Sequence, residues 1–347
     1  MQFCEHAHLV RVVILTYSQL PRYTPDGSVY DRAPTFGAQL IIFYLSAFVP
    51  TFFNWLIDTV VRSISKKGFP DAKPSWDFDK AAPPAVKPPL IADALYPHLQ
   101  SGFCEPVDAI DKITGPKSIQ LKSGRILENI DTIIYCTGYH YTIPVTFEPA
   151  ELNPYPYPGS PSNLYRNMFP LHSDPRIRNT LAFLGQGALP LAGFLQFEIA
   201  AFCISAIWSG KSSLPSLPEM KKWHAEHLAW RDEMERRYNP GSTFLTAFMR
   251  AGDAVAWMDE CAGLGIREHF GLLGRWTSWR AWSLWWRDRE LYNVCLGGMI
   301  SPAIFRLLDC GKRRTWERAR EQIFVDNERI EQQQRDKKKA MEKAKVA

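Results

Sequence analysis

Three short runs of mostly apolar residues place the strongest constraint on how this chain can fold. They are Leu9–Leu15 (LVRVVIL), Ile130–Cys136 (IDTIIYC) and Thr180–Leu184 (TLAFL). Runs that are rich in β-branched residues and lack a regular polar face are typical of strands buried on both sides in a parallel sheet. Parallel neighbours need crossover connections, which are usually helices. The runs therefore predict an α/β fold.

A small antiparallel unit is predicted just before the second run. Ser118–Leu121 and Arg125–Leu127 have the composition of strands, and they flank the turn sequence Lys122-Ser123-Gly124. Two such segments separated by a short turn with glycine indicate a hairpin.

The rest of the chain predicts helices. An apolar helix extends over about Leu191–Trp208, with Gly210 where a helix-ending glycine belongs. The sequence Ser216–Glu219 fits a capping box, which predicts the start of a helix that continues to about Tyr238. From Thr315 onward charged residues dominate, and they predict an exposed helix.

Two aromatic and apolar segments each allow two interpretations. Phe36–Val61 is long enough to cross a bilayer, but Pro50 interrupts it, so a pair of helices meeting at the proline is favoured over a membrane span. Arg275–Tyr292 carries five tryptophans, which fit a helix at a membrane surface and equally a helix packed against the core. Peripheral membrane contact is therefore one expectation for this chain.

Composition argues against several classes of function. The formal charge of +5 comes largely from a lysine-rich end, without the aromatic residues or motif of a nucleic-acid interface. None of the seven cysteines forms a CxxC pair, so neither a disulfide framework nor a metal site is predicted. The expected location is the cytoplasm, at an intracellular membrane if the chain is membrane-associated. His224 and His227 have no third ligand in the sequence nearby, and a surface position is expected for both.

The end of the second run carries the chemistry. Thr137, Gly138 and Tyr139 follow it directly, and ligands of α/β sheets bind beyond the carboxyl ends of the strands. A glycine there lets the backbone approach a flat cofactor, and the threonine offers a hydroxyl group. The alternative is an ordinary turn between a strand and a loop.

Several segments together resemble the flavin-containing monooxygenases. The T-G-Y sequence resembles the motif at which such chains return from their NADPH domain to their FAD domain. Further resemblances lie in Tyr139–Pro144, Leu164–Pro170 (LYRNMFP), Pro175–Gly185, Phe197–Gly210 and Leu214–Met220. The resemblance extends from about Leu9 to Leu308. It implies a Rossmann-like flavoprotein with two dinucleotide-binding domains, a small antiparallel β unit and a helical C-terminal extension.

The resemblance implies a set of cofactor-binding residues. On the FAD side these are Thr137, Gly138, Tyr139, Gly185, Gln186 and Glu198, and on the NADPH side Thr16, Ser18 and Arg22. For Gly185 a simple turn, and for Glu198 an acid satisfied by its surroundings, are the alternatives. The family's GxGxxG motifs do not occur in these 347 residues. The fold is therefore expected to be incomplete, and the chain a truncated form.

The resemblance also divides the chain and implies a reaction. Residues 1–135 would be a partial NADPH-binding domain with the hydrophobic insertion 36–61, residues 136–240 part of the FAD domain, and residues 241–347 the extension. Reduced flavin would take up O₂ as a peroxyflavin and oxygenate a nucleophilic nitrogen or sulfur, or a carbonyl, with no protein nucleophile or base required. The alternative is a non-catalytic remnant that binds a membrane surface or a partner. The absence of CxxC argues against a disulfide reductase.

Overall fold

The structure, a computed structural model, forms two compact units. It describes residues 12–13, 19–23, 35–76, 78, 89–91, 95–135, 143, 145–157, 160–189, 193–238, 247–271 and 278–346. The first unit comprises Met1–Arg22 and Ile57–Tyr139, and the second comprises Tyr23–Leu56 and His140–Ala347. Residues 36–56 of the long apolar segment belong to the second unit. The division of the chain at residues 135 and 240 stays a prediction.

Parallel strand pairs occur in the first unit, as the opening apolar run predicts. Strand β1 (Val12–Val13) pairs with β4 (Glu105–Pro106), and β2 (Gln19–Leu20) pairs with β3 (Leu90–Ile91). The described part of Leu9–Leu15 is thus a strand. A short helix, α3 (Leu95–Gln100), precedes β4. The fold mixes helices with small sheets, and the doubly wound layers stay a prediction.

The predicted hairpin is confirmed and belongs to a three-stranded antiparallel sheet. Its strands are β5 (Ile110–Gly115), β6 (Ser118–Leu121) and β7 (Ile126–Leu127). Gly124 has a φ of +85°, the left-handed conformation that a tight turn asks of glycine. Ile119, Leu121 and Leu127 form the small apolar core under this sheet.

The prediction of a buried strand at Ile130–Cys136 is wrong for its described residues, 130–135. They have no regular secondary structure, and Ile134 and Tyr135 are 81% and 70% exposed. The Ile130 amide donates to the carbonyl of Lys117 at 2.9 Å, but no described strand lies beside residues 131–135. An apolar run becomes a buried strand only where neighbouring strands satisfy its backbone and cover its side chains.

The prediction of a strand at Thr180–Leu184 is also wrong. Thr180 ends a short helix, α4 (Pro175–Thr180), and the following residues are irregular. The side chain of Asp174 accepts a hydrogen bond from the Arg176 amide at 2.8 Å, and Pro175 occupies the first helical position. These helix-starting residues account for Thr180, the last residue of α4. Residues 181–184 form no strand, although the Phe183 amide donates to the carbonyl of Met168 at 2.8 Å.

The long apolar segment forms two helices, as favoured by its proline. They are α1 (Phe36–Phe48) and α2 (Pro50–Gly68), and α2 begins at Pro50, where a missing N–H costs nothing. Phe36, Leu40 and Phe43 turn one face of α1 into the core. Within the described residues, no helix has the length and apolar character needed to cross a bilayer.

The second unit is built from helices around one apolar core. The further helices are α5 (Gly193–Trp208), α6 (Leu217–Tyr238), α7 (Ala251–Ala262), α8 (Ile266–His269), α9 (Trp279–Arg287), α10 (Arg289–Gly297) and α11 (Ala319–Val346). α7 packs against α5 and α1, and their buried side chains form most of the core. The predicted helices over Leu191–Trp208, from the capping box to Tyr238 and in the charged tail are confirmed. In the capping box, the Ser216 amide donates to Glu219 at 2.9 Å.

The tryptophan-rich segment packs one face against the core, and its contact with a membrane surface stays a prediction. Ala281 is fully buried and Trp285 packs on the core, whereas Trp279 and Trp286 are 83% and 79% exposed. α9 therefore anchors one face in the second unit and displays indole rings on the other.

The expected surface position of His224 and His227 is wrong. His227 is only 2% exposed, and its ring stacks between Trp223 and Trp230 with centroids at 5.0 and 5.7 Å. His224 is half-buried and contacts the carbonyl of Ser162 at 3.0 Å. The helical period places Trp223, His227 and Trp230 on one face of α6, and this face turns inward. Burial, with help from Arg231, lowers the pKa of His227 to about 3.

This buried histidine predicts a specific loss of stability in acid. Its pKa in the folded chain lies below its unfolded value of roughly 6.5, so its contribution is fully present above pH 6.5 and is lost as the pH falls toward about 3. Between pH 6.5 and 4.5 the free energy of unfolding should fall by roughly 2–3 kcal/mol more in the natural chain than in His227→Phe. Urea unfolding at both pH values measures this difference. Replacing the exposed His98 by Phe is the control, and an equal fall in all three proteins would contradict the assignment.

Candidate functional site

The loop at Gly185 contains two of the predicted FAD-side residues, Gly185 and Gln186. Gly185 has a φ of +87°, which favours glycine, and its backbone is exposed. Among the described residues, a Cβ atom at this position would meet the ring of Phe197, at 3.8 Å, and nothing else within 4 Å. The backbone of the loop is therefore bare on this side, and a ligand could approach it closely.

An exposed apolar surface lies next to this bare backbone. Phe194 is 90% exposed and Phe197 38%, and the two lie three residues apart on one face of α5. Leu184, which precedes Gly185, is 49% exposed. Two aromatic rings and a leucine beside open backbone are suited to a flat, partly apolar molecule.

The side chain of Gln186 is held by a tyrosine. The hydroxyl of Tyr155 donates a hydrogen bond to the Oε1 atom of Gln186. Tyr155 is itself buried, and its amide donates to Oδ1 of Asn153 at 3.0 Å. Because the oxygen of Gln186 is engaged, its amide nitrogen is the part of the side chain that can donate to a ligand.

Gly187 has a different reason to be glycine. A Cβ atom there would lie 2.7 Å from Cε of Met249 and 3.3 Å from Cβ of Asn167. These distances are shorter than ordinary contacts, so the loop can pack this closely only without a side chain.

Gln196 ties the loop to the helix that follows. It is 5% exposed, its Oε1 atom accepts from the Leu189 amide at 2.9 Å, and its Nε2 atom donates to the carbonyl of Gly187. Sequence reasoning missed this residue. A glutamine one turn into an apolar helix is the only signal, since such a side chain must find polar partners when it is buried.

The LYRNMFP sequence forms the hairpin that supports the loop. Strands β8 (Leu164–Tyr165) and β9 (Phe169–Pro170) are antiparallel, and Arg166 and Asn167 between them both have a φ of +54°. The buried side chain of Asn167 donates to the carbonyl of Ala247 at 3.1 Å and accepts from Ser162 at 3.2 Å. The Ala188 amide donates to the same carbonyl at 2.7 Å. Asn167 thus joins the hairpin to the segment that borders the loop.

Arg166 anchors the other side of the hairpin. Its guanidinium donates to Asp253 at 2.6 Å and lies 4.7 Å from the ring centroid of Trp223, whose Nε1 donates to the same Asp253 oxygen at 3.1 Å. Burial by itself raises the pKa of Asp253, but Arg166 and Trp223 outweigh it and hold the pKa below its usual value. Arg166 is buried and Asp253 is 39% exposed, so the ion pair gives the buried guanidinium a counter-ion at the edge of the core.

Glu198 lies on α5 and is paired with an arginine. Its Oε1 atom accepts from Nε of Arg306 at 2.6 Å. The guanidinium groups of Arg306 and Arg313 each lie 5.5 Å from the ring centroid of Phe202. The carboxylate is satisfied by its surroundings, which was the alternative interpretation, and its role on the FAD side stays a prediction.

The remaining predicted site residues cannot be placed in the same way. Thr137, Gly138 and Tyr139 lie outside the described residues, and so do Thr16 and Ser18. Arg22 is described, and it is exposed in the first unit. Of the predicted set, the consecutive residues Gly185 and Gln186 lie in one described loop.

Comparison with known proteins yields one family and a set of relatives. The flavin-binding monooxygenase-like family matches residues 51–346. Monooxygenase aurF of Gibberella zeae is 26% identical over 318 residues, which are 89% of this chain and 57% of the relative. Flavin-containing monooxygenase 5 of Rattus norvegicus is 28% identical over 70% of this chain and 40% of its own length. Flavin-containing monooxygenase FMO GS-OX3 of Arabidopsis thaliana is 33% identical over 57% of this chain and 37% of its own length. The chain thus spans little more than half of the first relative and about two fifths of the others.

The two glycine environments predict opposite effects of adding a methyl group. Gly187→Ala should lower the free energy of unfolding by roughly 1 kcal/mol, because its Cβ would lie 3.3 Å from Cβ of Asn167 and would displace the terminal methyl group of the buried Met249. Gly193→Ala, where no atom of the described residues lies within 4 Å of the new Cβ, should raise it by roughly 0.5–1 kcal/mol. Urea unfolding of the two variants measures both changes. Equal stability of the two variants would contradict the packing described for Gly187.

Proposed function

This chain belongs to the flavin-binding monooxygenase-like family, and we propose that it acts as an FAD- and NADPH-dependent monooxygenase on substrates with a nucleophilic nitrogen or sulfur, or with a carbonyl. The names of its relatives support the type of reaction, since they are monooxygenases themselves. The chain matches only 57% and 40% of the length of the first two relatives, so their activity is proposed for this chain and needs a direct test.

The observation that carries the proposal is the bare, apolar-edged backbone at Gly185. The flavin ring system is flat, and it needs a surface that offers close backbone approach and apolar contact. Gly185 provides the first, and Phe194 and Phe197 provide the second. The described residues of this loop therefore fit FAD, and Gly185, Gln186 and Phe194 are the residues proposed to hold it.

The protein's own contribution is binding, orientation and the exclusion of water. When bound, FAD would supply the acceptance of hydride from NADPH and the activation of O₂, which no side chain provides. Gln186, whose oxygen is engaged by Tyr155, would donate from its amide nitrogen to an acceptor on the ligand. Phe194 and Phe197 would keep water from the covered face.

Loss of one exposed ring should weaken FAD binding by the full chain without unfolding it. Phe194→Ala removes a ring that is 90% exposed, so stability should be unchanged, while the Kd for FAD should rise roughly 3- to 10-fold, the effect of about 1 kcal/mol. Quenching of FAD fluorescence during titration measures the Kd. Trp208→Ala, which removes a ring that is 55% exposed at the other end of α5, is the matched control and should leave the Kd unchanged.

Consumption of NADPH by the FAD-loaded chain, with O₂ uptake and an amine or thioether as substrate, would support the activity. A chain that binds no FAD at any concentration would contradict it. Equal weakening by Phe194→Ala and Trp208→Ala would contradict the placement of FAD at Gly185.

A second candidate is a non-catalytic protein that binds a membrane surface. The exposure of Trp279 and Trp286 favours it. Exposed indoles next to arginines, here Arg280 and Arg287, are suited to the headgroup region of an anionic bilayer.

The membrane candidate predicts binding to vesicles that contain anionic phospholipid. Replacement of both Trp279 and Trp286 by Ala should reduce co-sedimentation at least several-fold, because the interfacial rings are lost. Trp208→Ala should have no effect. Binding that is unchanged in the double variant would exclude α9 as the contact.

A further inference from the structure

We propose that Glu268, His269 and Cys310 form a binding site for a divalent transition-metal ion, with Zn²⁺ as the best match. One ligand atom from each of these residues lies within 4.8 Å of the other two. All three residues belong to the second unit. The site is separate from the loop at Gly185 and does not depend on the proposed monooxygenase function.

The chemistry of the three side chains is selective. Thiolate, imidazole and carboxylate together are a typical ligand set for Zn²⁺ and a poor one for Mg²⁺ or Ca²⁺, which bind through oxygen. Ligand atoms on one tetrahedral zinc lie roughly 3.5 Å apart. The three ligand atoms, now within 4.8 Å of one another, would therefore have to move about 1 Å closer together to occupy three coordination positions of the ion. A water molecule would take the fourth position.

His269 has a backbone partner of the kind that metal-binding histidines use. Its Nδ1 lies 2.9 Å from the carbonyl oxygen of Gly265, which only accepts, so this hydrogen bond favours the tautomer with the proton on Nδ1. In that tautomer the lone pair of Nε2 would bind the ion. Metal-binding histidines usually donate their other N–H to a carbonyl or carboxylate in this way.

The turn that presents Glu268 and His269 is fixed from outside. Both oxygens of Asp259 accept backbone amides at the start of α8, from Ile266 at 2.9 Å and from Arg267 at 2.8 Å. Gly265, just before α8, has a φ of +72°. The two ligands are therefore carried on a rigid turn, as a specific site requires.

Cys310 is brought to this turn by close packing that only glycine permits. A Cβ atom on Gly265 would lie 2.5 Å from the sulfur of Cys310 and 3.1 Å from Nδ1 of His269. Two residues further along, Lys312 donates to the carbonyl of Glu260 at 2.7 Å and holds the Cys310 segment against the end of α7. The sulfur thus reaches the turn because residue 265 has no side chain.

Glu268 has an outer partner and an open side. Arg280 donates to its Oε2 atom, while Oε1 receives no hydrogen bond from the described part of the chain. A carboxylate that binds a metal through one oxygen commonly accepts a hydrogen bond at the other. Its side chain is 52% exposed, which gives an ion a path from solvent.

A divalent ion at this cluster would replace the proton of Cys310. Burial, followed by the carboxylates of Glu268 and Asp259, raises the pKa of this thiol, while Arg313 and Arg280 act in the opposite direction. An added Zn²⁺ would be balanced by the Glu268 carboxylate and by the thiolate that forms when Cys310 releases its proton to solvent. The ion would connect the segment at Cys310 to the turn at α8, although the two lie far apart in sequence.

The test uses the full chain, freed of metal with a chelator and titrated with ZnCl₂ and, separately, with CoCl₂. One equivalent of Zn²⁺ should bind and raise the Tm by several degrees, because an ion that binds only the folded state stabilises it. Co²⁺ should produce the near-ultraviolet charge-transfer band of a cobalt–thiolate bond. That band reports the sulfur ligand directly and needs no flavin.

Cys310→Ser should abolish the cobalt–thiolate band, and His269→Asn should weaken Zn²⁺ binding at least 10-fold. Both changes are small, and melting of the metal-free variants checks that they fold. The control is Cys104→Ser, a half-buried cysteine of the first unit, which should keep the band and the affinity.

Three results would each overturn the site. They are a titration without saturable binding, a cobalt spectrum without the thiolate band, and a band that survives in Cys310→Ser. In any of these cases the three side chains would only pack together.

Discussion

The fixed position of Asn167 is the constraint on which the candidate site depends. Its side chain donates to the carbonyl of Ala247, which also accepts from Ala188, and its Cβ atom would lie 3.3 Å from a Cβ atom added to Gly187. The loop is therefore set by a hairpin from one direction and by a neighbouring segment from the other. Buried amides satisfied on both sides have one low-energy arrangement, and this makes the loop a rigid platform.

The helices could be predicted well because their signals are local. Pro50 separates two apolar helices, Gly210 adopts a φ of +70° beyond α5, and Ser216 and Glu219 form the predicted cap. Each feature depends on residues within one turn, so no knowledge of the rest of the fold is needed.

The strands were predicted less well because a strand depends on its neighbours. Ile130–Cys136 and Thr180–Leu184 have the composition of buried strands, yet their described residues form none. The inward position of His227 was missed for a similar reason. When polar residues occur on all faces of a helix, the sequence does not show which face packs against the core.

The loop at Gly185 and the cluster at Cys310 also differ in how far the sequence alone points to them. Gly185 and Gln186 could be identified because a resemblance points to their stretch of chain, whereas Gln196, Asn167 and Tyr155 support them through contacts far apart in sequence. Cys310 lies forty-one residues after His269 and follows no metal-binding spacing. Only the fold brings the two residues together.

Arg166 has a consequence for how this protein can change during evolution. Its left-handed backbone would be relaxed by glycine, but its buried side chain is the partner of the half-buried Asp253. Glycine would therefore relieve about 1 kcal/mol of backbone strain and leave a carboxylate without its counter-ion, at a greater cost. Neither residue can drift alone. We therefore expect substitutions at Arg166 in the hairpin and at Asp253 in α7 to be tolerated only as matching pairs.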